Sequence, residues 1–111
     1  MQHWDLRSLT VAPHEPQILD SSRGAARSVV LHLPAGEMLR DHQVHERAHL
    51  VVVDGEVEID RDGETITGGA GLLAVFEPGE RHEVRARSDA RLLLVLAPWP
   101  GEGHPGARDA W

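Results

Sequence analysis

Eight histidines stand in this chain of 111 residues, and they are its first chemical feature. Imidazole is the commonest protein metal ligand and the usual proton carrier near neutral pH. Two stretches hold most of the candidates. Gly36 to Gly55 carries His42, His45, Glu46 and His49, and Gly71 to His82 carries Glu77 and His82. If His42, His45, His49 and His82 converge, they make an all-imidazole site for one divalent transition metal. Donor softness then favours Zn, Fe, Mn, Ni or Cu over Ca or Mg. Glu46 is the candidate general base beside it. His45-Glu46-Arg47-Ala48-His49 is also a literal His-Glu-x-x-His string, which on a helix would bind zinc as in a metalloprotease. The strand-like Leu50-Val51-Val52-Val53 that follows and the absence of a helix start speak against that alternative.

The rest of the composition narrows the chemistry. There is no Cys, Lys or Tyr, so thiolate, Schiff-base and phenolic mechanisms are excluded, as are disulfides and cysteine metal clusters. The formal charge of −7 argues against broad nucleic-acid binding and against anionic membrane surfaces. The first ten residues are polar and lack a signal-peptide core, and no apolar run approaches the roughly 18 residues of a membrane span. A cytoplasmic location is the expectation.

The elements that must position these histidines are strands. Apolar runs at Ser28–Leu33, Leu50–Val53, Glu56–Asp60, Glu64–Thr67, Leu72–Phe76, His82–Ala86 and Arg91–Ala97 alternate with turn residues. Asp54-Gly55, Asp62-Gly63, Pro78-Gly79 and the Gly68–Gly71 run mark the turns. Short strands at such spacing predict an all-β, single-domain antiparallel β-barrel or double-sheet jelly roll. Residues 1–27 read as an irregular N-terminal segment, 28–97 as the β domain, and 98–111 as a Pro/Gly-rich tail. In that tail Trp99 is expected to pack at the end of the last strand, while His104 and Trp111 are loose or rest on a partner.

These spacings resemble those of the cupin superfamily, in its small single-domain form. Gly36, His42 and Gly55 match the first cupin motif, and Gly71, Pro78, Gly79 and His82 match the second, with the resemblance running over residues 29–97. The first motif is degenerate. Its second histidine falls on Val44 and its glutamate on Ala48, while the asparagine that often follows the second motif falls on Ala86. A strict alignment therefore carries over only His42 and His82 of the four usual ligands. In a regular strand His42, Val44 and Ala48 share the inner face, and His45, Arg47 and His49 share the outer one. A bulge between His42 and His45 would reverse that parity and bring His45 and His49 inward.

Two functional expectations follow. One is a metal-dependent oxygenase or isomerase acting on a small molecule. The other is a metal-free module that binds a small ligand or regulates through one. The resemblance also implies a homodimer, with the N-terminal residues against the partner subunit. His3, His14, His32 and His104 read as bystanders to any metal. Arg81, Arg85 and Arg87 read as balancing Glu77, Glu80 and Glu83 on an exposed face.

Overall fold

The computed structural model describes residues 1–42 and 44–104. Nine strands form, and among the described residues there is no helix. They are β1 (Gln17–Ser21), β2 (Arg27–Leu33), β3 (Met38–His42), β4 (Arg47–Asp54), β5 (Val57–Arg61), β6 (Glu64–Gly68), β7 (Leu73–Phe76), β8 (His82–Ala86) and β9 (Ala90–Ala97). A five-stranded sheet runs β1-β2-β9-β4-β7 and a four-stranded sheet runs β3-β8-β5-β6. All the ladders between them are antiparallel. The two sheets face each other without closing into a barrel, so the expected all-β fold takes its double-sheet jelly-roll form.

Alternation fixes which side chains face inward. In β2, Arg27, Val29, Leu31 and Leu33 are buried, and in β9 Ala90, Leu92, Leu94 and Leu96 are. From β4 come Ala48, Leu50 and Val52, and the four-stranded sheet answers with Val57, Ile59, Val84 and Ala86. The outer side of β4, β7 and β9 is also apolar. Val51, Leu93 and Val95 are half-buried there, and Leu73 and Val75 are exposed.

Turn chemistry sets the registers. Asp62 and Gly63 both have positive φ, 48° and 79°, as a tight two-residue hairpin requires, and Arg61 pairs with Glu64 across it. Gly55 has a φ of 83° and lies against the backbone of Asp89.

Two strands were not legible in the apolar pattern. β1 forms inside the segment expected to be irregular, and β3 forms over Met38–His42. Both are sheet edges of mixed polarity. The N-terminal residues lie against their own chain: Pro13 bridges His32, and the Arg91 guanidinium donates to the Leu6 carbonyl at 2.9 Å. Gln43, Trp111 and the tail beyond His104 lie outside the described residues.

Candidate ligand pocket

The parity of β4 extends one step before the strand. Glu46 precedes Arg47 and faces inward with Ala48, Leu50 and Val52, while Arg47 is exposed and His49 half-buried on the other side. Glu46 is 1% exposed, which is unusual for a carboxylate. Its Oε2 accepts a hydrogen bond from the Gly101 amide at 2.6 Å. That bond depends on close backbone approach, since a Cβ on Gly101 would lie 2.3 Å from the His45 carbonyl oxygen. The other oxygen, Oε1, is buried and accepts no hydrogen bond among the described residues.

The segment after β9 brings three further groups to Glu46. His104 Nε2 lies 4.0 Å from Glu46 Oε2. The Trp99 ring meets His104 edge-on at 4.7 Å, and the Arg27 guanidinium sits 3.9 Å over the Trp99 ring centre. Arg27 is 5% exposed, and its Nε donates to Ser21 Oγ at 2.9 Å. Burial pushes the Arg27 guanidinium below its ordinary pKa, and the negative charge of Glu46 acts in the opposite sense. Both groups are buried and carry opposite charge.

These groups form one end of a cavity of about 420 Å³ between the sheets. Its walls are apolar: Val29, Leu31, Leu39, Val44, Leu94 and Leu96. A concave apolar chamber with a few convergent polar groups is the usual form of a small-molecule site.

Of the histidines whose side chains are described, only His104 lines this cavity. His82 is buried, its ring stacked on Phe76 at 3.8 Å with 6° between planes and its Nδ1 3.3 Å from the Glu80 carbonyl. His45 is exposed and meets His104 edge-on at 5.3 Å, and His49 pairs with Val75 and Val95 on the outward side of the sheet. His42 stands opposite His82 in the β3–β8 ladder, with a register shift between Leu39 and His42. A bulge between His42 and His45, on which an inward turn of His45 and His49 would depend, falls at Gln43, outside the described residues. Among the described residues no three His, Asp or Glu side chains cluster as metal ligands would. Of the four positions the motif gives to ligands, Val44 and Ala48 offer no donor atom. His42 and His82 alone fall short of the three or four protein ligands a zinc-like ion takes.

Burial alone lowers the pKa of His82 below the ordinary histidine value. The unfolded chain therefore gains a proton near pH 6.5 that folded His82 resists, so stability is full above that pH and falls below it. Urea melts of the wild type are expected to lose at most about 1.4 kcal/mol per pH unit below about 6.5 from this residue. His82→Gln should flatten that slope; an unchanged slope contradicts the assignment.

Comparison with known proteins defines the class. The profile of the cupin domain family Cupin_2 matches residues 29–97, and the chain belongs to that family. An RmlC-like cupin from Desulfovibrio desulfuricans superposes with a TM-score of 0.75 at 25% identity, over 88% of this chain and 96% of that one. A cupin-2 domain protein from Shewanella frigidimarina gives 0.68 at 17% identity, over 80% and 85%. A conserved Streptococcus pyogenes protein of unknown function gives 0.70 at 23% identity, over 86% and 85%. No curated protein sequence matches the chain.

Arg27, Trp99 and His104 form the polar end of the cavity, yet none was singled out from the sequence as a ligand-binding group. Arg27 stands one residue before the apolar run that marks β2, although it shares the parity of Val29 and Leu31. His104 arrives through a Pro/Gly-rich segment with no periodic pattern to place it.

Proposed function

We propose that this cupin binds a small organic molecule in the cavity between its sheets and holds it through side chains alone. The observation that supports this most is the buried Glu46 at the polar end of an apolar chamber, one of whose oxygens accepts no hydrogen bond among the described residues. A buried acceptor left without a partner costs about 1–3 kcal/mol, which a ligand donor would recover. Glu46 then serves as a binding anchor, and the apolar walls supply affinity by excluding water.

Leu94→Trp tests this, because Leu94 lines the cavity and a larger ring fills it. Ethylbenzene is expected to bind the wild type in a calorimetric titration and to lose at least about tenfold in affinity to the variant. Equal binding by a Leu94→Trp protein that melts cooperatively contradicts the reading. The metal-dependent alternative is met by elemental analysis after reconstitution with Zn, Fe, Mn and Ni. One ion per chain that is lost in both His42→Ala and His82→Ala would favour it.

The apolar outer residues Val51, Leu73, Val75, Leu93 and Val95 support the proposed homodimer. Strands apolar on both sides read as covered on both. Light scattering should give twice the chain mass; a single-chain mass contradicts it.

A further inference from the structure

We infer that the ligand is a neutral apolar alcohol or phenol whose hydroxyl donates to Oε1 of Glu46. This rests on the reading of the cavity as a small-molecule site and goes on to name the ligand's chemistry.

Three observations carry it. First, the acceptor is specific. Glu46 Oε2 is engaged by the Gly101 amide, and His104 Nε2 stands near the same oxygen, whereas Oε1 is buried and accepts nothing among the described residues. The complement of an unused acceptor is a donor. Second, the cavity already holds one charge of each sign. Arg27 and Glu46 are both buried, of opposite sign, and line the same cavity. An ammonium group would add a second cation to Arg27, and a carboxylate would add a second anion to Glu46. Either would leave a net charge in a chamber walled by Val29, Leu31, Leu94 and Leu96. Uncompensated charge in such surroundings is heavily penalised. A neutral donor satisfies the oxygen and leaves the balance intact. Third, the shape is that of a single-headed molecule. The polar groups are Arg27, Glu46 and His104, and nearly all the remaining wall is apolar. One polar head and an apolar body fit that distribution.

Five probes of similar shape separate the possibilities: 4-ethylphenol, 4-ethylanisole, ethylbenzene, 4-ethylbenzoate and 4-ethylbenzylamine. Calorimetric titration of the wild-type protein is expected to rank 4-ethylphenol first, by about tenfold over 4-ethylanisole, which has the oxygen but no donor. The benzoate and the benzylammonium should bind more weakly than ethylbenzene. Glu46→Gln replaces one oxygen by a donor, so it should bring phenol and anisole within about twofold of each other. The wild-type ranking stands without that variant if the variant folds poorly. Anisole binding as well as phenol, or either ion binding more tightly than phenol, overturns the inference while leaving a ligand cavity in place. Ethylbenzene binding with no preference for any head group does the same. No binding by any of the five overturns both the inference and the reading beneath it.

Discussion

Gly55→Ala is expected to destabilise the protein by about 4 kcal/mol or more, and to lower its melting temperature by on the order of 15 °C or more. Two costs combine at this position. The φ of 83° is one that residues with a Cβ rarely adopt, at roughly 1–2 kcal/mol. The added Cβ would also lie 2.1 Å from the Asp89 carbonyl oxygen and 2.7 Å from the Ala90 Cα. Those are backbone atoms at the entry to β9, which pairs with both β2 and β4 at the centre of the larger sheet. Nothing there yields without moving the strand. Gly63 supplies the control. Its φ of 79° is nearly the same, but a Cβ there meets nothing within 4 Å. Gly63→Ala should cost only about 1–2 kcal/mol. Chemical denaturation of the two variants side by side isolates the overlap. Equal losses would show that Gly55 is not pressed against Asp89. With total stability on the order of 5–15 kcal/mol, Gly55→Ala removes a large share of the fold.

The second large effect is expected at Glu46. Glu46→Leu strands the buried Gly101 amide without its acceptor and removes a negative charge that favours the buried Arg27 guanidinium. Leaving a buried donor unsatisfied typically costs about 1–3 kcal/mol, and withdrawing a favourable charge from a buried cation adds to it. Urea denaturation should register a loss in that range. Removing both partners is gentler. The double variant Arg27→Met with Glu46→Leu should lose clearly less than the sum of the single losses, since the favourable interaction between the two groups is then lost only once. A Glu46→Leu loss under about 1 kcal/mol, or strict additivity in the double variant, would mean the two groups are not coupled. The same variant should abolish any preference for hydroxyl-bearing ligands while sparing the affinity for ethylbenzene that the apolar walls provide.

Much of the fold was legible because its physics is local. Glycine turns at Gly55 and Gly63 and the alternation in β5 place strands wherever one side must be buried. β1 and β3 escaped because an edge strand such as Gln17-Ile18-Leu19-Asp20-Ser21 needs backbone partners more than an apolar pattern. The site was legible in part. Glu46 drew attention through the His-Glu-x-x-His string, with a helix or a metal as its context, while the better clue was parity. Val44, Glu46, Ala48, Leu50 and Val52 alternate along the chain with more exposed residues, and all five face the interior. The same parity sends Arg47 and His49 outward. Several of the imidazoles have other partners here. His82 stacks on Phe76 in the interior, His14 pairs with Glu37, and His104 joins Trp99 beside the carboxylate. Arg27, Trp99 and His104 meet across a chain separation that no local pattern encodes.

A nitrogen–proton correlation NMR titration with 4-ethylphenol tests most directly whether the cavity is the binding site. Saturable shifts are expected at Val29, Leu31, Leu94, Leu96 and Gly101, and at the Trp99 indole, with little change at His49, Val51, Leu73 and Val75 on the outer side of the same sheet. Shifts confined to the outer residues, or none at millimolar ligand, would contradict a small-molecule site between the sheets.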